Sequence, residues 1–134
     1  MTDVFGKLNL KDQREILVVD APESFEEELA ALDEVRIVRR PAAANRISFG
    51  LIFVTRKAQL DAFVKVLAAK AEGDPVIWFA YPKGTSKSLV CDFNRDTGWD
   101  AVRAAGLDSV RQVAIDADWS ALRFRRVEFI NRRS

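Results

Sequence analysis

The stretch "EILVVDAPESFEEELAAL", residues 15–32, decides the fold. The apolar run within 15–20 is typical of a strand that is buried on both faces of a parallel sheet. Residues 24–32 predict a helix, because Ser24 and Glu27 have the spacing of a capping box and because the glutamates lie in the first turn, where the helix dipole favours negative charge. A strand that leads directly into a helix is the first unit of an α/β fold.

The rest of the chain continues this alternation. Apolar runs predict further strands, and a stripe of apolar residues at helical spacing predicts further helices. The predicted strands are 15–20, 35–39, 48–55, 75–81, 109–115 and 121–129, and the predicted helices are 24–32, 56–72 and 95–105. We expect a single α/β domain over residues 1–134, a three-layer sandwich with a mostly parallel sheet of about six strands. The turn "DADWS", residues 116–120, predicts that the last two strands form a C-terminal antiparallel hairpin.

Some boundaries and connections are less regular. Thr55 is the expected cap of helix 56–72, and Gly73 is its expected end. If the second and third strands both run parallel to the first, the chain must cross over within residues 40–47, whereas parallel crossovers usually take a dozen residues or more. The topology of this connection therefore stays open.

The last predicted strand, 121–129, alternates arginines with apolar residues. Its alternation shifts phase by one residue, which predicts a bulge near Arg125–Arg126. We expect this strand to lie near a sheet edge, where its arginines either guard against pairing or flank an interface that Phe129 and Ile130 help to bury. Of these two, we favour a homodimer.

The composition excludes several kinds of chemistry. None of the 134 residues is a histidine, so the chain has no Ser-His-Asp triad, no Cys-His dyad and no imidazole metal ligand. The lone Cys91 is expected to be a buried structural thiol. The run 92–103 begins like a calcium loop but has Thr97 and Arg103 where that loop needs glycine and glutamate, so we expect no metal. The three tryptophans are expected to close the core.

Charge and hydropathy bound the environment and the partners. The longest apolar runs, 51–54 and 76–81, are far shorter than the roughly 20 residues that cross a bilayer, so we expect no membrane contact. No secretory signal is visible, and a reducing cytoplasm is the expected location. A net charge of +1 argues against a general nucleic-acid binder. Arginines nevertheless crowd the C-terminal stretch, at Arg123, Arg125, Arg126, Arg132 and Arg133.

Four segments carry a resemblance that covers nearly all of the chain. "ILVVD", "FGLIFV", "GDPVIWFAYP" and "GLDSVRQVAI…WSALRFRRV" are similar, in this order, to strands one, four, five, six and seven of the class I, Rossmann-like methyltransferases, which use S-adenosylmethionine (SAM). The counterpart of their third strand is missing. Three shorter motifs, at Asp20–Phe25, Trp78–Lys83 and Trp119–Phe124, resemble those of a small bacterial family of unknown function.

The methyltransferase resemblance implies a SAM site, which the residues only partly match. The first loop of that family has an acid followed by alternating glycines, which let the backbone approach the cofactor. Asp20 matches the acid, but Pro22 and Ser24 stand at the glycine positions. The second strand should end in an acid that binds the ribose, and here it ends in Arg39–Arg40. Gly50 stands where a further acid is usual, so we predict that the fold has lost its cofactor site.

Ligands of open α/β sheets bind outside the carboxyl ends of the strands. The candidate ligand-binding residues at this edge are Asp20, Glu23, Arg56, Lys83 and Lys87, and the two lysines lie in a polar loop suited to a phosphate or carboxylate. We assign no catalytic residue and no cofactor. The expected function is a non-catalytic binding domain for a small anionic ligand or a protein partner. The alternatives are a methyltransferase with an atypical SAM site and a nucleic-acid-binding module that uses the C-terminal arginines.

Overall fold

The computed structural model describes residues 5, 8, 10, 14–32, 35–40, 47–83, 99–116 and 118–127. Their elements, in chain order, are β1 (Glu15–Val19), a 3-10 turn (Glu23–Phe25), α1 (Glu26–Ala30), β2 (Arg36–Val38), β3 (Ile47–Phe53), α2 (Lys57–Lys70), β4 (Ala71–Pro82), α3 (Asp100–Ala104), β5 (Leu107–Ala114) and β6 (Trp119–Arg126). No helix of the described part is long and apolar enough to cross a membrane.

The six strands form one sheet in the order β2-β1-β3-β4-β6-β5. The first four strands in this order are parallel, whereas β6 runs antiparallel to both β4 and β5. The predicted α/β class, the six strands and the C-terminal antiparallel hairpin are confirmed.

The short connection between β2 and β3 has a geometric explanation. Both strands run parallel to β1 and flank it, and Val38 and Gly50 both pair with Leu17. From Val38 the chain therefore descends only to the level of Ile47, about 10 Å along the strand, and moves about 10 Å sideways past β1. Residues 39–46 can span more than about 25 Å when extended, so a full crossover helix is not required.

The sheet buries a separate apolar cluster on each face. On one face, Leu60, Val64 and Leu67 of α2 and Val102 of α3 pack against the strands. On the other face, the packing residues are Phe5, Leu8, Phe25 and Leu29. The three tryptophans are buried, as predicted, and Trp78 Nε1 donates a 2.7 Å hydrogen bond to the carbonyl of Leu8.

Two predicted helix ends are wrong. The chain enters α1 through a 3-10 turn that contains Ser24, and no side chain caps either helical segment. The Phe25 N–H instead donates to the Pro22 carbonyl at 2.9 Å, so the turn begins before Ser24 can act as a cap. Helix α2 ends at Lys70 rather than at Gly73, because Ala71 already pairs with Ile47 as the first residue of β4.

Two predictions for the C-terminal hairpin are also wrong. Strand β6 lies between β4 and β5, so β5 forms the edge of the sheet. The register shift lies on β5, between Ser109 and Arg111, and not near Arg125–Arg126. The phase of alternation changes after Arg126 because β6 ends there. The expected homodimer stays a prediction.

Several sequence predictions fall outside the described residues. They concern Lys87, Cys91, most of the calcium-like run, and the C-terminal residues Phe129, Ile130, Arg132 and Arg133. Within the described ranges, no group of three or more carboxylate or thiol side chains lies close enough to hold a metal ion.

Candidate functional site at the carboxyl edge of the sheet

The sheet has a switch point between β1 and β3, because the chain leaves β1 toward β2 on one side and leaves β3 toward β4 on the other. Ligands of open α/β sheets bind at such a point. Asp20 and Glu23 follow β1, Arg56 follows β3, and Lys83 follows β4, so the structure brings four predicted site residues to one edge. Asp20, Glu23 and Arg56 are exposed and Lys83 is half-buried, and among the described residues no hydrogen bond or ion pair joins any two of the four.

Asp20 has a backbone φ of 57°, in the left-handed region that glycine adopts most readily. Aspartate tolerates this conformation better than most residues do. Asp20 therefore occupies a glycine-type position of the turn. That Asp20 is the counterpart of the family's acid stays a prediction.

The N-terminus of α2 is capped by Gln59, a residue that none of the sequence predictions names. Its Oε1 accepts hydrogen bonds from the backbone N–H of Thr55 at 3.0 Å, the backbone N–H of Arg56 at 3.1 Å and the Thr55 hydroxyl at 3.3 Å. Thr55 thus donates to the cap rather than providing it, which corrects the predicted role of Thr55. The signal that predicts this bond is a Gln at the third helical position, where it can reach back to the capping residue.

The end of β2 is tied to α1 by a bidentate ion pair. Arg39 Nη1 and Nη2 donate to the two carboxylate oxygens of Glu26 at 2.9 and 3.0 Å. These hydrogen bonds, helped by the charge of Arg39 and opposed by partial burial, hold the pKa of Glu26 below its ordinary value of 4.5, and they raise the pKa of Arg39 further. Both side chains remain about half exposed, at 49% for Arg39 and 46% for Glu26. The guanidinium at the predicted ribose-binding position is therefore engaged by the chain's own acid.

The other side of the edge is shaped by the turn into β6. Asp116 Oδ1 accepts hydrogen bonds from the backbone N–H groups of Asp118 and Trp119, at 2.8 and 2.9 Å. The Lys83 N–H donates to the Asp118 carbonyl at 2.8 Å, which fixes the backbone from which the Lys83 side chain extends. These hydrogen bonds give the turn a structural role, and the side chain of Lys83 is the cation next to it.

No protein-family model matches the chain, and no curated protein matches it. Solved structures do. A SAM-dependent methyltransferase from Aquifex aeolicus superposes with a TM-score of 0.63 at 13% identity, over 92% of this chain and 87% of that chain. Magnesium protoporphyrin IX methyltransferase from Synechocystis PCC 6803, with bound SAH, gives a TM-score of 0.58 at 10% identity, over 92% of this chain and 78% of that chain.

A third structure is the fibrillarin pre-rRNA processing protein of Methanococcus jannaschii, with a TM-score of 0.56 at 11% identity, over 87% of this chain and 67% of that chain. At these identities the likeness concerns the fold and carries no residue roles. The resemblance to the small bacterial family stays a prediction. The chain has the fold of the SAM-dependent methyltransferases.

Proposed function

We propose that this protein is a non-catalytic binding domain, built on a methyltransferase fold that has lost its SAM site. One observation carries the proposal: at this edge of the sheet, the hydrogen-bond donors that follow β2 and β3 are bonded to the chain's own side chains. Gln59 occupies the backbone donors that follow β3, and Glu26 occupies the guanidinium that follows β2.

The ribose side of the site lacks the required acceptor. A nucleoside ribose is held by a carboxylate at the end of the second strand, which accepts from the sugar hydroxyls. Arg39 stands there with the opposite charge, and a guanidinium has only donors. The nearby carboxylate of Glu26 already accepts from both Arg39 nitrogens, and releasing it to bind a sugar hydroxyl would leave the guanidinium unpaired.

The carboxylate of SAM would also find few hydrogen-bond donors at this edge. A cofactor carboxylate needs backbone N–H groups at the turn after β1. Pro22 has no N–H, and the Phe25 N–H donates to the Pro22 carbonyl. The first turn of α1 carries Glu26, Glu27 and Glu28, which place negative charge where the helix dipole would otherwise favour an anion.

The same edge still offers cations away from the turn after β1. Arg56 is exposed on the loop that follows β3, and Lys83 extends from the end of the neighbouring strand β4. These two side chains suit a small anionic ligand or an acidic segment of a protein partner. We place the binding function of the domain at this part of the edge.

A thermal-shift panel of small carboxylates, phosphates and nucleotides tests the proposal, because a bound ligand stabilises the folded state. We expect at least one anion to raise the melting temperature of the native chain, and we expect Arg56→Gln and Lys83→Gln to reduce that shift. The control is Arg36→Gln, which removes an exposed arginine from β2 at the far edge of the sheet. An equal loss of the shift in the control would contradict binding at this edge.

A methyltransferase with an atypical SAM site is the second candidate. The observation that favours it is the likeness, over 92% of the chain, to a methyltransferase with bound SAH. Direct binding of SAM decides between the two candidates.

A further inference from the structure

Strand β5 is an edge of the described sheet, in which it has a neighbouring strand on one side only. Its eight residues make it a longer edge than β2, which has three. The four residues at its centre, 109–112, are all exposed. The backbone N–H and C=O groups on the outer side of an edge strand can pair with another chain. Strand β5 is therefore a surface onto which a strand of a second molecule fits.

The bulge in β5 changes which of its side chains share a face of the sheet. The register against β6 shifts between Ser109 and Arg111, which makes Val110 the extra residue. Across this shift, Asp108 and Arg111 pair with two residues of β6 that are two apart and so point to the same face. Asp108 and Arg111 therefore share a face although they are three apart in sequence, which the alternation of a regular strand does not allow.

This shared face makes β5 complementary to itself. When two identical antiparallel strands are related by a two-fold axis, residue i faces residue j and j faces i, and facing side chains lie on the same face of the sheet. With the axis between Ser109 and Val110, Asp108 of each copy faces Arg111 of the other copy. Two pairs of opposite charge then stand directly across from each other, an arrangement that stabilises paired strands. The bulge is the feature that allows this match.

The groups at this edge are in a state to accept a partner. Arg111 is exposed, and within the described ranges it makes no hydrogen bond or ion pair. The side chain of Asp108 is 51% exposed, and its Oδ1 accepts from the Ser109 N–H at 2.8 Å and lies 3.7 Å from Arg103 Nε. Its Oδ2 accepts no hydrogen bond from any described residue. Val110, beside the axis, is one of the exposed large hydrophobic residues, at 39%, and a partner strand would shield it from water.

We propose that two copies of this chain form an antiparallel β5–β5 dimer, in which their two six-stranded sheets join into one. Main-chain hydrogen bonds supply the affinity, and the pairs of Asp108 with Arg111 set the register. A strand pair alone buries less surface than the roughly 1,200–2,000 Å² of stable complexes, so we expect a dimer that dissociates on dilution. This interface is not the one predicted for the last strand, because β6 lies between β4 and β5. It is independent of the proposed binding function.

Sedimentation velocity of the full chain over a wide range of concentrations tests the proposal. We expect the mass of the native chain to rise with concentration from 15.1 kDa to twice that value. Asp108→Lys and Arg111→Glu should each weaken the dimer at least tenfold, because the facing side chains then carry like charges. The double variant has opposite charges again and should dimerise within about threefold of the native affinity. The matched control is Arg36→Glu, which makes the same charge change on the opposite edge strand and should dimerise like the native chain. Circular dichroism checks that each variant is folded.

Three outcomes would overturn the inference. One is a native chain that stays at 15.1 kDa at every concentration, which would make the bulge a guard of the edge against pairing. Another is a dimer that Arg111→Glu leaves unchanged or that Arg36→Glu disrupts, which would move the interface to another surface. The third is a folded double variant that dimerises no better than the two single variants, which would exclude the register in which Asp108 faces Arg111.

Discussion

Asp20 holds a left-handed conformation, with φ of 57°, at the point where β1 gives way to the turn. Because glycine adopts this conformation freely, we predict that Asp20→Gly changes the free energy of unfolding by less than about 1 kcal/mol. A β-branched residue is strained there, so Asp20→Val should lower it by about 1–3 kcal/mol. Urea denaturation measures both variants. Equal losses would show that the side chain of Asp20 matters and its backbone conformation does not.

In the resemblance to the methyltransferases, Pro22 and Ser24 stand where that family has glycines. We predict that Pro22→Gly combined with Ser24→Gly lowers the free energy of unfolding by roughly 1–2 kcal/mol, because glycine adds entropy to the unfolded chain. The same variant should gain no affinity for SAM, since Arg39 and Gln59 keep their present partners. Denaturation and calorimetry on one preparation test both statements, and restored SAM binding would show that the missing glycines alone disabled the site.

At the scale of elements, the start of α2 depends on one amide. Gln59→Ala should lower the free energy of unfolding by about 1 kcal/mol, because the N–H groups of Thr55 and Arg56 lose their shared acceptor. Gln59→Glu keeps an acceptor in the same place and should retain most of the stability. Thermal unfolding of the two variants side by side provides the measurement. Equal destabilisation would contradict the capping role.

The ion pair between β2 and α1 predicts a dependence on pH. The pKa of Glu26 is lowered in the folded state, so the unfolded state takes up its proton first as the pH falls. The contribution of the ion pair to the free energy of unfolding is therefore present above pH 4.5. It is lost as the pH drops below this value through the folded-state pKa of Glu26. Melting curves from pH 7 to about pH 3 should fall less steeply for Glu26→Gln than for the native chain. Glu27→Gln, in the same helix, is the control and should follow the native curve.

The strands of this chain can be predicted from its sequence, whereas the pairing between strands can be predicted only in part. "ILVV" and "LIFV" predict buried strands because a continuous apolar run is typical of a strand that is covered on both faces of a parallel sheet. The ion pair between Arg39 and Glu26 joins residues 13 apart in sequence and depends on where β2 ends, which no local pattern states. The bulge at Val110 was misplaced onto the partner strand because alternation within one strand does not reveal its register.

At the scale of the whole molecule, the α/β class, the six strands and the C-terminal hairpin were predictable from the alternation of elements and from the resemblance to the methyltransferases, whereas the order of the strands in the sheet was not. The loss of the cofactor site stays a prediction from the sequence. Missing glycines and the wrong charge at Arg39 indicate a lost cofactor site from sequence alone. The hydrogen bonds that Glu26 and Gln59 make at this edge emerge only when β1, β2 and β3 lie side by side.

The central claim is that a methyltransferase fold persists here without its cofactor site, and calorimetric titration of the native chain with SAM tests it most directly. Three features of this edge oppose binding. Pro22 has no N–H to donate, Gln59 accepts from the backbone N–H groups of Thr55 and Arg56, and Arg39 is bonded to Glu26. The account predicts no saturable heat up to millimolar SAM, with a SAM-binding methyltransferase as the positive control. Saturable binding in the micromolar range would contradict it and establish a working cofactor site of unfamiliar form.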